Sequence, residues 1–292
     1  MLDTLMLGAI EAGGTKFIAA VSDQDLNLID KISVPTTDPN QTLGKIADFF
    51  SPYSIASMGV GCFGPIDLNL SSSTYGYIES TPKLAWKDFN ILGALQAQYR
   101  IPIALNTDVN VAALGELKRG AAAGEQSCIY ITVGTGIGGG VVVDRQIFNG
   151  YHHPELGHIA VKRFPSDTFT GICPYHTDCL EGLASGPALA ERAHQAPNKI
   201  AKDDPLWKVE AYYLAQAIVT YSLILSPAKI ILGGGVMQQE HVLAMVKASV
   251  NQQLNHYIKI PEIDNYIIRP QLKNEAAIIG GFILAKDALR LE

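Results

Sequence analysis

A chain of 292 residues, 48% of them hydrophobic, is long enough for one large domain or two ordinary ones and carries enough apolar material to bury a core. A formal net charge of −6 with no Lys/Arg run excludes a broad basic face for nucleic acid, although an anion can still be held by backbone N–H groups. No basic segment followed by an apolar signal core opens the chain, and no apolar run nears the ~20 residues of a membrane span, so a cytoplasmic location without a membrane partner is expected. The N-terminal LMLGAIEAGGTKFIAAVS reads as strand, tight glycine turn, strand, with a third strand near Leu26–Val34. Helical spacing covers Thr42–Phe50, and Ser57–Cys62 reads as a buried strand ending at Gly64-Pro65. A helix over Asn90–Tyr99 is followed by a strand from Pro102 to Thr107 and a helix from Asp108 to Arg119.

CIYITVGTGIGGGVVVD then repeats the strand–glycine turn–strand pattern, which suggests a duplicated fold with one hairpin per lobe. Pro205–Leu225 reads as helical. Lys229–Leu232 reads as a short buried strand running into Gly233-Gly234-Gly235. Asn274–Leu289 reads as a helix whose Gly280-Gly281 permits close packing on a neighbour. The lobe boundary is expected near residue 118, giving an N-terminal lobe of 1–118 completed by the last helix, about 275–292, and a C-terminal lobe of 119–274.

Three glycine-rich turns share one logic: Glu11–Lys16 (EAGGTK), Gly134–Gly140 (GTGIGGG) and Leu232–Met237 (LGGGVM). Each follows an expected strand, and glycine there allows positive φ and lets backbone N–H groups approach an oxyanion. None fits GxxxxGK[ST] or a convincing GxGxxG pattern. One alone is most simply a β-turn, whereas three in one chain point to a nucleotide phosphate cradle. Asp108 stands where an apolar strand meets a helix. It can serve as an N-cap, or as a carboxylate at the C-terminal end of a sheet strand, where a hydroxyl awaiting phosphorylation needs a base, and both roles can hold together. Cys62 and Cys128 lie in apolar strands and read as small buried hydrophobes. His158, Cys173, His176 and Cys179 are a full tetrahedral donor set for zinc, and four protein ligands leave no open position, so the site is structural rather than catalytic. Glu155, three residues before His158, is either a solvated loop carboxylate or a hydroxyl acceptor held by the metal loop, and His152 and His153 add further donors.

With these motifs in hand, the whole chain resembles the ROK family of sugar kinases, and within it the bacterial zinc-containing fructokinase branch. EAGGTK resembles the first phosphate motif, GTGIGGG the second, LGGGVM the adenosine motif, NTDVNVAALGE the segment with the catalytic Asp, and HPELGH with CPYHTDCLEGLASGPA the zinc and sugar signature. Glu11 replaces the superfamily's usual Asp, His176 replaces a Cys, and Thr107 replaces the Asn of glucokinase-like members. The first two changes resemble the fructokinase branch, and the third points away from glucose. The resemblance implies an α/β fold of two ribonuclease-H-like lobes (actin/hexokinase/Hsp70-type) around a nucleotide cleft. It further implies ATP-dependent phosphorylation of D-fructose at its 6-hydroxyl, with ATP, Mg²⁺ and a structural Zn²⁺, in a homodimer. The alternatives are a kinase of another hexose, such as mannose or glucose, or a non-catalytic sugar-sensing regulator. The latter is disfavoured because no DNA-binding extension is expected before the first strand. By position, Asp108 is the general base. Gly13, Gly14, Thr15, Lys16, Gly134, Thr135 and Gly136 meet the ATP phosphates. Pro187 and Gly233, Gly234, Gly235, Val236 and Met237 line the nucleotide site. Gly64, Pro65, Asn106, Asp108, Glu155 and His158 meet the sugar.

Overall fold

The computed structural model describes residues 5–290. The chain forms two compact units, one built from residues up to Gly124, from Arg145–Pro154 and from Gln271 onward, the other from Glu125–Asp144 and Glu155–Pro270. This division differs from 1–118 and 119–274. The segment past Arg119 stays with the first unit because the buried Glu116 carboxylate accepts Ala121 N–H at 2.7 Å, Gln271 N–H at 3.2 Å and Leu272 N–H at 2.8 Å. Arg145–Pro154 returns to the first unit because Ile66 N–H donates to His153 Nε2 at 3.2 Å and Asn106 Nδ2 donates to Asn149 Oδ1 at 3.3 Å.

The first unit carries a five-stranded sheet in the order Leu28–Pro35, Lys16–Ser22, Met6–Ala12, Ile55–Cys62, Ile103–Thr107. The first three strands pair antiparallel and the last two pairings are parallel. Strands buried on both faces read as near-continuous apolar runs, which is why Met6–Ala12 and Ile55–Cys62 are legible in sequence. The terminal helix Ala276–Ala288 packs on this sheet and on the helix Asp108–Arg119. A Cβ on Gly280 would overlap the Val111 carbonyl, and one on Gly59 would overlap the Gly281 carbonyl. The close packing expected of Gly280-Gly281 is therefore real, since no larger residue fits between these backbones. Ser57 Oγ donates to Ala285 O at 2.7 Å and fastens the same contact.

In the second unit the strands Ile137–Val143, Cys128–Val133, Lys229–Gly233 and Ile267–Ile268 are neighbours in that order. The first pairing is antiparallel and the other two are parallel. The hairpin duplication read from sequence is thus a duplication of topology, because in each unit an antiparallel hairpin lays its first strand beside a parallel partner. The long helix Leu206–Leu225 and the helix Glu240–Leu254 bury Trp207, Leu214, Ile218, Val242 and Val246 against this sheet. The helices Leu180–Ala184 and Gly186–Ala193 go beyond the sequence reading. Gly186-Pro187 looks like a turn signal, yet Pro fits the first helical turn and Ser185 Oγ caps it by accepting Ala188 N–H. Among the described residues no helix is long and apolar enough to cross a membrane.

Candidate active site and metal cluster

In the first unit, sheet register assembles a carboxylate pair. Ala12 lies opposite Cys62, and Cys62 opposite Thr107, so Glu11 and Asp108 lie at the same end of three neighbouring strands. Asp108 is the first residue of its helix and not its N-cap. Thr107 takes that role, its Oγ1 accepting Asn110 N–H at 3.2 Å. The capping explanation for Asp108 therefore falls away, and its carboxylate accepts Val109 N–H at 2.8 Å. Burial pushes the Asp108 carboxyl up to about 6, with its backbone hydrogen bonds opposing. Burial also pushes Glu11 up to about 7, with the Asp108 charge adding to the rise and Lys16 opposing it. Glu11 Oε2 is buried with no hydrogen-bond partner among the described residues. Two carboxylates at the same strand ends, one feeling the other's charge and carrying an orphaned oxygen, fit a hard divalent cation such as Mg²⁺.

The same unit holds other expected residues. The turn after Glu11 closes through Gly13 N–H donating to Lys16 O at 3.1 Å. Thr36 braces it, Oγ1 donating to Gly13 O at 2.7 Å and N–H to Thr15 O at 3.0 Å. Gly14 faces open space, and Thr15 and Lys16 are exposed, so the turn has room for a ligand. Asn106 is buried, its Oδ1 accepting from Thr107 N–H and Asn110 Nδ2 at 2.9 and 2.8 Å. Gly64-Pro65, joined by a cis peptide, leads to Ile66, whose N–H donates to His153. Burial, with His152 adding, pulls His153 down to about 4, which keeps the ring neutral and lets its Nε2 accept the Ile66 N–H.

In the second unit the turn Gly134–Gly136 is held at both ends. Gly186 N–H donates to Gly134 O at 2.8 Å, and Ile137 N–H donates to the Glu181 carboxylate at 2.8 Å. Thr135 is exposed at its tip, Gly134 faces open space, and Pro187 is exposed on the first turn of the next helix. Of the motif glycines, only Gly234 has positive φ, at 94°. A Cβ there would overlap the Val133 backbone, whereas Gly235 faces open space. Gly233 lies against Pro270, where a Cβ would come within 3.1 Å of the ring. Val236 and Met237 have their side chains buried in the core of the unit.

The expected metal cluster is assembled. His158, Cys173, His176 and Cys179 offer ligand atoms that all lie within 4.8 Å of one another. His158 Nδ1 lies 3.7 Å from Cys173 Sγ and 3.5 Å from Cys179 Sγ, and His176 Nδ1 lies 3.9 Å from Cys173 Sγ. Tetrahedral zinc, with bonds of about 2.3 Å to sulfur and 2.0–2.1 Å to nitrogen, puts neighbouring ligand atoms roughly 3.5 Å apart. The donor set and its spacing therefore fit zinc with all four positions filled by protein. Glu155 is exposed, and its carbonyl accepts His158 N–H at 3.1 Å, so it rides on the short Leu156–His158 turn. Gly157 packs so tightly on Ile137 that a Cβ would overlap the Ile137 carbonyl. Glu11's link to Asp108 and the whole role of Glu181 go beyond the sequence reading. The only signal for Glu181 is its place two residues after Cys179.

The sequence pattern of the ROK family matches residues 7–288. A fructokinase of Pediococcus pentosaceus is 45% identical over 286 residues, covering 98% of this chain and 99% of its own. A fructokinase of Lactococcus lactis subsp. cremoris is 45% identical over 281 residues, covering 95% and 96%. The crystal structure of a ROK hexokinase from Thermus thermophilus superposes with a TM-score of 0.80 at 26% identity, covering 99% of this chain and 100% of that one.

Proposed function

The chain belongs to the ROK family, and from that premise we propose that it transfers the γ-phosphoryl group of ATP to the 6-hydroxyl of D-fructose. The observation that carries the chemistry is the Asp108 carboxyl at the head of its helix, released from capping and raised to about 6 beside Glu11. A base of that strength is ionised at neutral pH yet closer to a hydroxyl's needs than an ordinary Asp. Asp108 takes the hydroxyl proton as the oxygen attacks the γ-phosphorus, the bond to the β-phosphate oxygen breaks, and ADP leaves. Glu11 is the residue that would hold magnesium with the phosphates, and neutralising their charge is the chemistry magnesium supplies. Lys16, Thr15 and the Gly13-Gly14 amides, with Gly134, Thr135 and Gly136, hold phosphate oxygens. Backbone of Gly233–Met237 with Pro187 holds the adenosine.

Glu155, His158, Asn106 and the Gly64-Pro65 turn hold the sugar hydroxyls in this reading. His158, Cys173, His176 and Cys179 would hold zinc, which cross-links a loop otherwise poor in regular structure. A cytoplasmic homodimer belongs to the same reading. The choice of fructose rests on the two fructokinases at 45% identity along nearly the whole chain. ADP release with ATP and magnesium across fructose, mannose, glucose and amino sugars tests it: fructose should have the highest kcat/KM, and a higher value for another hexose would overturn the sugar assignment.

A further inference from the structure

Arg145–Pro154 follows the strand Ile137–Val143 in the chain yet lies as a strap on the first unit. Near its end stand two adjacent histidines whose ring centroids are 4.3 Å apart. His153 is buried, and its Nε2 accepts the N–H of the fully buried Ile66 at 3.2 Å. His152 pairs through Nε2 with Glu79 Oε2 at 3.2 Å, and Glu79 N–H donates in turn to Pro65 O at 2.8 Å. The strap therefore reaches the Gly64-Pro65 turn from two sides.

The chain on either side of that turn is held by its own unit. Before it, Phe63 N–H donates to Ala12 O at 2.8 Å. After it, Asp67 N–H donates to Tyr77 O at 2.9 Å, and the Asp67 carboxylate accepts Asn69 N–H at 2.9 Å and Thr74 Oγ1 at 2.7 Å. Gly64 and Pro65 stay partly exposed between these fixed ends. Of the two histidine contacts, that of His153 weighs more. A buried N–H stripped of its acceptor is costly, whereas His152 and Glu79 are 35% and 43% exposed and their attraction is screened by water. The strap also meets Asn106, whose Nδ2 donates to Asn149 Oδ1 at 3.3 Å. We propose that His153 is a positioning residue for the sugar, fixing through the Ile66 N–H where the Gly64-Pro65 turn stands. The inference rests on reading that turn as a holder of sugar hydroxyls. Its first half, the hold on Ile66, can be measured without sugar or ATP.

Substitutions in the full chain test both halves. His153→Leu and His153→Phe fill the site without an acceptor, and His153→Gln restores an accepting oxygen. Hydrogen exchange at the Ile66 amide should quicken about tenfold or more in the first two and stay near the unaltered rate in His153→Gln. The KM for fructose should rise about tenfold in the acceptor-free variants and within about threefold in His153→Gln, with the KM for ATP within about twofold in all three. Glu79→Gln should leave both KM values within about twofold, because a half-exposed pair contributes little. An Ile66 amide indifferent to loss of the acceptor overturns the hold. Equal rises in the two KM values, or a His153→Gln as impaired as His153→Leu, make His153 a packing residue and overturn its positioning role. Quickened exchange with an unmoved fructose KM leaves the hold standing and overturns the reading of Gly64-Pro65 as a sugar turn.

Discussion

The two hairpins share a plan and differ in what holds their turns. The first, Met6–Ala12 with Lys16–Ser22, closes its turn by backbone bonds and Thr36 and ends against two carboxylates of raised pKa. The second, Cys128–Val133 with Ile137–Val143, has its turn gripped by Glu181 and Gly186, both just beyond the metal ligands. A duplicated scaffold has thus been specialised by its neighbours rather than by its own glycines. One copy ends beside the carboxylates proposed for proton and cation chemistry. The other is furnished to hold a set of N–H groups still.

The largest expected effect tests the first half of that contrast. Asp108→Asn keeps the size of the side chain and removes the base, so kcat should fall by about 10²–10⁴ while the KM for ATP changes little. In the unaltered enzyme kcat/KM should fall as pH drops through about 6, because Asp108 is then protonated and cannot accept the hydroxyl proton. Coupled ADP-release kinetics across pH measure both. Near-normal turnover in Asp108→Asn would strip the first hairpin's surroundings of their assigned chemistry and erase the contrast.

The contrast was only half legible beforehand. Apolar runs punctuated by glycine made both hairpins readable, and the Cys/His spacing made the metal cluster readable, because those signals are local. The pairing of Glu11 with Asp108 is not local: it depends on the parallel register Ala12–Cys62–Thr107, which no spacing along the chain encodes. Thr107's capture of the cap, which frees Asp108, depends on one side-chain rotamer among two adjacent capping residues. The return of Arg145–Pro154 to the first unit hangs on a few hydrogen bonds such as Ile66 to His153, invisible to composition. Val236 and Met237 stand in the stretch that resembles an adenosine motif, and their apolar side chains follow the ordinary preference for the core.

The glycines themselves offer a second cut through the comparison, smaller than the loss of the base. Gly234→Ala introduces a Cβ that overlaps the Val133 backbone at a φ of 94°, so the chain should lose stability by several kcal/mol. Gly134→Ala places a Cβ in open space, and its Tm should barely move. Its KM for ATP should rise, because the methyl occupies room left for a ligand. Thermal unfolding alongside ATP kinetics separates the two. A stability loss in Gly134→Ala matching that of Gly234→Ala would make the second turn a structural device rather than a ligand cradle.

The smallest effect concerns the carboxylate pair without substrates. Folding raises Glu11 from 4.5 to about 7 and Asp108 from 3.8 to about 6, so between these values the folded chain holds protons that the unfolded chain has lost. Stability from this source is complete below about pH 4 and declines as pH rises toward 7, because both groups must then be charged in a buried setting. Asp108→Asn removes one charge outright and lowers the pKa of the other, since the Asp108 charge is part of what raises Glu11. The variant should therefore be more stable than the unaltered chain at pH 8, on the order of 1 kcal/mol, and lose that advantage at pH 4. Thermal unfolding at the two pH values without ATP or added magnesium reads the difference. An advantage independent of pH would mean that burial does not raise Asp108, and the fall of kcat/KM expected through about pH 6 would lose its cause.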